Sequence, residues 1–303
     1  MTTSDFIGGA ERPRTVRDLQ ARFRSYDYKS EEMIPKGNQA KALLRLLDVY
    51  EEAGLLPCGQ PAALCHVCRH KQACWSAAKA DARRRPRQRD REDDENGCVP
   101  LPWVGPHYAR GGVLVLGINP NIAGRDYTDL LIEHSNTWNQ YIESFRHGKR
   151  AVGRSRFGFA AMRSAAALVD TLHGRPPRLR EPKELVETLL CTARLQAVKC
   201  MPRVPNSKPY REMWEHCPSL LLGEELNVLR PGILLALGDD PRSAVERLSG
   251  FEPLRARALG SPVGRMRGRG WVADVYTLPH PRAGKVEVEE SFVRSLRTRI
   301  ASG

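Results

Sequence analysis

The sequence predicts an α/β protein: a central, mainly parallel four-stranded sheet covered by helices on both faces, three layers in all. Two observations carry that expectation. Four short apolar runs, at 111–121, 193–200, 232–240 and 271–281, read as buried strands. Segments with apolar residues at helical spacing stand between them, and strands alternating with helices imply a parallel sheet.

Taken in order, residues 1–57 read as a helical, peripheral extension. AKALLRLLDVYEEAGLL has the helical period and stops at Gly54, before Pro57. The remainder, 58–303, reads as one domain holding a cysteine group (58–74) and a charged insert (79–98). KADARRRPRQRDREDDEN, at 79–96, is almost free of apolar residues and reads as a solvated loop. GGVLVLGINPN (111–121) is the first strand, ending in Gly-Ile-Asn-Pro. Helices are predicted over 156–172 and 183–190, a strand over 193–200, a helix over 212–229 and a strand over 232–240. The fourth strand, 271–281, ends in Leu-Pro-His-Pro, and a helix over 287–300 closes the chain. Ligand sites in such sheets lie beyond the carboxyl ends of the strands. Three polar tips fall there: Asn119, the stretch Gln196 to Cys200, and His280.

Composition narrows the partners. The 303 residues carry a net charge of +13, with arginines dense over 83–91 and 255–269 and again near Arg282 and 294–299. A polyanion such as DNA suits that distribution, since each phosphate neutralised releases counterions. No apolar run is long enough for a membrane span, and the first residues lack the apolar core of a secretory signal. The expectation is a cytoplasmic monomer with no membrane contact. Eight cysteines in such a chain point to metal or cluster ligation, not disulfides.

Together GINPN (117–121), KCMPRVPNSKPYREMWEHC (199–217), ILLALG (233–238) and LPHP (278–281) resemble, in order, the motifs of the uracil-DNA glycosylase superfamily. GINPN is similar to the Gly-Ile-Asn-Pro loop of its mismatch-specific branch. The long middle motif resembles the iron–sulfur branch, where a Lys-Cys stretch leads to another cysteine one helix later. The resemblance covers about residues 100 to 300. It implies a uracil-DNA glycosylase-like fold, base flipping and hydrolysis of an N-glycosidic bond to leave an abasic site.

Such chemistry needs a group to hold water beneath the sugar carbon and a donor for the charge that builds on the departing base. Asn119 is placed for the water and His280 for the base carbonyl. Backbone amides of Gly117, Ile118, Pro120 and Asn121 line the same loop, although the proline has no N–H to give. Asn-Pro is also a common turn dipeptide, and His280 before Pro281 also suits a strand cap; their joint placement at two strand ends singles them out. The iron–sulfur branch carries an acidic residue where this chain has Asn119. Its base-reading Asn stands here as Gln196, one methylene longer. Tyr127, Trp138 and Phe157 are candidates to stack on the flipped base, Tyr127 being preferred. Asn206 and Lys208 in the middle motif, with Arg282 and Lys285 after the last one, are the expected DNA contacts.

The resemblance assigns a [4Fe-4S] cluster to Cys65, Cys68, Cys200 and Cys217, a complete set of four thiolates. The local group Cys58, Cys65, Cys68 and Cys74 is a rival set and suits a cluster or zinc. Cys98 and Cys191 read as plain buried thiols. The leading reading is a glycosylase acting on uracil or a related pyrimidine in base excision repair. A glycosylase for modified bases, such as modified cytosine, in foreign DNA and a non-catalytic nucleic-acid binder are the alternatives. No lysine is expected in the pocket to form a Schiff base, so lyase activity is not.

Overall fold

A computed structural model describes residues 13–25, 34–54, 68–70, 73–74, 102–118, 142, 145, 155–199, 209–255, 258–279 and 286–301. Helices α1 (Val16–Ser25) and α2 (Gly37–Glu52) precede strands β1 (Trp103–Val104) and β2 (Val113–Gly117). Helix α3 (Ser155–Leu172) follows, then a short 3₁₀ turn (Pro182–Glu184), helix α4 (Leu185–Cys191) and strand β3 (Ala193–Gln196). Helix α5 (Arg211–Cys217) runs through a π-helical turn (Pro218–Leu222) into helix α6 (Gly223–Leu229). Then come β4 (Ile233–Leu237), α7 (Asp239–Glu246), β5 (Phe251–Pro253), β6 (Gly264–Gly268), β7 (Trp271–Leu278) and α8 (Val286–Ala301).

The protein is α/β, as expected, but its sheet is mixed and larger than the four strands foreseen. Among the described residues seven strands stand in the order β1-β3-β2-β4-β7-β6-β5. The four expected runs supply β2, β3, β4 and β7, which pair parallel to one another. β1 adds to one side antiparallel, and the β5–β6 hairpin adds to the other, also antiparallel. These three strands hide in the sequence for physical reasons. β1 has two residues, β5 holds a proline that an edge strand tolerates, and β6 is Gly-Arg-Met-Arg-Gly. Only pairing shows that Met266 points inward while Arg265 and Arg267 face solvent. Gly270, at φ 74, makes the tight return from β6 into β7.

Alternate strand residues feed two apolar layers. Leu114, Leu116, Leu234, Ala236, Ala273 and Val275 face α1, α2, α5, α6 and α7. Val113, Val115, Ile233, Leu235, Tyr276 and Leu278 face α3, α4 and α8. Every residue of β2 and β4 is buried, as two-sided cover requires. The N-terminal helices differ from the peripheral extension foreseen. Leu43, Leu46, Leu47 and Tyr50 of α2 are completely buried in the core that also holds Leu114 and Leu116. Gln39 donates to the Val104 carbonyl at 2.7 Å, tying α2 to the sheet edge. Among the described residues no helix is long and apolar enough to cross a membrane.

Candidate active site

The ends of β2 and β3 are neighbours, with Gly117 in register with Gln196. Pairing continues past the strands, the Ala197 N–H donating to the Gly117 carbonyl and the Val198 N–H to that of Ile118, both at 2.9 Å. Three expected site residues, Gly117, Ile118 and Gln196, therefore meet at one sheet edge. The Gln196 side chain crosses the Gly117 α-carbon so closely that a Cβ there would stand 2.5 Å from its Oε1. A larger residue at 117 would have to push the Gln196 carboxamide aside. Among the described residues Oε1 is buried without a hydrogen-bond partner, which is costly unless something else supplies a donor.

Ile118 and Pro279 leave the sheet at the same edge, because β2, β4 and β7 run parallel. One strand separates them, which sets the two exits about 10 Å apart. The residues that follow, Asn119 and His280, lie outside the described residues. So do Pro120, Asn121, Tyr127, Trp138, Asn206, Lys208, Arg282, Lys285, Cys65, Cys200, Cys58 and Cys98, as does the Phe157 side chain.

Beneath the strand tips runs a polar chain that sequence reasoning missed. Lys199 Nζ donates to the Gln196 carbonyl at 2.5 Å and lies 2.7 Å from Glu225 Oε2. Glu225 Oε1 accepts from the Tyr50 hydroxyl at 2.6 Å. The Lys199 and Glu225 side chains are 1% and 0% exposed. A signal was available: Met213, Cys217, Leu221, Glu225 and Leu229 recur every fourth residue along one continuous stripe, with a carboxylate in an apolar row.

Of the expected cysteines, Cys68 and Cys217 are described, and they come together with Cys74. Cys74 and Cys217 are buried in one apolar cluster, and Cys68 packs against it. The His70 and His216 rings stack at 3.9 Å and 7°, setting His70 against the end of α5. Burial pushes the Cys74 thiol up to about 12, with Cys217 and then Cys68 as neighbouring charges that add to it. His70 is pushed down by burial first, then by His216 and Arg69. Cys74, assigned only in the rival set, thus stands with Cys68 and Cys217. No disulfide joins these three or Cys191. Cys191 ends α4 half-buried, its thiol raised chiefly by burial. Soft thiols from two separate segments are the donor chemistry of a cluster or zinc. Among the described residues no three His, Cys, Asp or Glu side chains already stand as a formed metal site.

In the arginine-dense stretch 255–269, three of the five arginines pair within the chain. Arg265 pairs with Asp274 at 3.2 Å, Arg267 with Glu252 at 2.7 Å and Arg269 with Glu224 at 2.5 Å. These pairs lie at the surface, with the arginine side chains at least half exposed.

No protein-family model matches the chain, and no curated protein matches it.

Proposed function

We propose that the chain is a monofunctional DNA-base glycosylase, built on a uracil-DNA glycosylase-like arrangement of its parallel strands β3-β2-β4-β7. The observation that carries this reading is the unpartnered Gln196 Oε1 over Gly117, at the edge from which both Ile118 and Pro279 leave the sheet. An acceptor held against a glycine suits the edge of an extruded pyrimidine, which offers a ring or exocyclic N–H. In this reading Asn119 orients a water, whose oxygen bonds to the sugar C1′ as the N-glycosidic bond breaks. The bonding pair leaves with the base, and His280 donates a hydrogen bond to the carbonyl oxygen where that charge collects. The water's proton passes to solvent. The Lys199 ammonium, bound to the Gln196 carbonyl and beside Glu225, is not poised to form a Schiff base.

Cys68 and Cys217, joined by Cys74, are the proposed ligands of a [4Fe-4S] cluster or zinc, with Cys65 or Cys200 as the fourth. When bound, the group would tie the N-terminal segment to α5. The proposed partner is DNA, met by a cytoplasmic monomer.

The test is base release by the purified protein from oligonucleotides carrying uracil, thymine mismatches or modified cytosines, read as alkali-labile sites. Release at one base type is expected, falling about 10²–10³-fold in His280→Ala, as for removal of one charge-stabilising donor, and at least as far in Asn119→Ala. A folded, metal-loaded protein that releases no base while still binding DNA would mark a non-catalytic binder. Metal per chain checks the ligand set independently. Cys74→Ser should lose bound iron or zinc as fully as Cys68→Ser, and full retention in Cys74→Ser would remove Cys74 from the set.

A further inference from the structure

The Lys199–Glu225 pair takes no part in the chemistry above, yet it is completely buried. Stability alone does not account for it, since apolar residues of similar volume often replace such a pair at no cost or with gain. Its connections are more informative than its energy. The carbonyl that Lys199 holds belongs to Gln196, whose side chain lies across Gly117. The next two amides, of Ala197 and Val198, bind the carbonyls of Gly117 and Ile118. One four-residue turn therefore sets both the Gln196 carboxamide and the backbone leading into Asn119. On the far side Glu225 belongs to α6, and its Oε1 accepts from Tyr50 of α2, 175 residues away in sequence. The extended turn has no other charged partner among its described contacts. An apolar residue at 199 would fill the space but leave the Gln196 carbonyl without its donor and the Glu225 carboxylate without its counter-charge.

The geometry points to Lys199 as a positioning residue: with Glu225 and Tyr50 it locks the turn 196–199 against the tip of β2, making helix α2 part of the support for the edge that reads the base. Its effect on base choice rests on the glycosylase reading; the coupling itself rests on the contacts alone. Tyr50 would then act on the site from the N-terminal helices without touching a substrate.

The experiment is amide hydrogen exchange of the full-length protein, with base-release kinetics alongside. Lys199→Met/Glu225→Met removes both charges at similar volume, so the protein should remain folded. Exchange at Ala197 and Val198 should accelerate at least about tenfold while the amides of β4 keep their protection, a local opening and not a global one. Tyr50→Phe should move the same two amides by less. In base release the double variant should show a rise in KM larger than its loss of kcat, with weaker discrimination between bases. Unchanged exchange at Ala197 and Val198, or equal acceleration throughout the sheet, overturns the inference. A wild-type protein that releases no base, with the double variant still showing the local acceleration, would sink the glycosylase reading and leave the coupling standing. An active protein whose double variant keeps both its exchange pattern and its KM would do the reverse.

Discussion

The Asp170–Arg180 pair and the Lys199–Glu225 pair are both buried, and they belong to helices on opposite faces of the sheet. Asp170 closes a local turn. Its Oδ1 accepts from Arg180 Nη2 at 2.6 Å, ten residues on, and a half-exposed Arg175 approaches the same oxygen at 3.2 Å. Lys199 and Glu225 instead join the end of β3 to α6 and, through Tyr50, to α2. The first pair clips a helix to the loop that follows it, with solvent reaching one of its arginines. The second exists only when three distant segments have already packed. Similar distances therefore describe a local fastening in one case and a tertiary joint in the other.

Removing one member of each pair sharpens that contrast, and the tertiary joint should suffer most. Glu225→Ala strands the Lys199 ammonium in the core and should cost about 3–5 kcal/mol, measured by urea denaturation. Asp170→Ala should cost less, about 1–3 kcal/mol, because Arg175 already lies half in solvent and Arg180 can follow it. Equal losses would erase the distinction between the two.

A third buried carboxylate gives a smaller, pH-dependent effect. Burial raises Glu289 above its ordinary value of 4.5, and Arg163, 3.5 Å away, only partly opposes the shift. A folded-state value above the unfolded one means that Glu289 favours folding most below pH 4.5. That contribution is lost as pH rises through the folded value. The melting temperature of Glu289→Gln should therefore gain on wild type between acid and neutral pH; a gap that narrows instead would show that the Arg163 contact dominates. The smallest effect belongs to the exposed Arg267–Glu252 pair on the β5–β6 hairpin, where Arg267→Ala should leave the urea midpoint unchanged.

The contrast also marks what was legible before folding. Continuous apolar runs announced β2 and β4, because strands covered on both faces need no polar side, whereas β3 and β7 carry polar residues between their apolar ones. The antiparallel strands were not announced, since β6 alternates arginine with Met266 in a stretch whose composition suggests only charge. In the candidate site, the Gly117 and Gln196 motifs mark two loops, and the parallel register brings them together. The sequence offered Cys68 with Cys217 in one set and with Cys74 in another; the fold brings Cys68, Cys74 and Cys217 to one apolar cluster, beside the stacked His70 and His216 rings.

Local chemistry in this chain thus specifies apolar periods, glycine positions and the types of donor at each strand tip, because those depend on neighbours a few residues away. Partnership of buried charge does not follow from such neighbours. Nothing near Glu225 in the chain requires Tyr50 or Lys199. Their meeting is decided when α2 and α6 pack against one face of the sheet, since a buried carboxylate is tolerated only where folding delivers its donors.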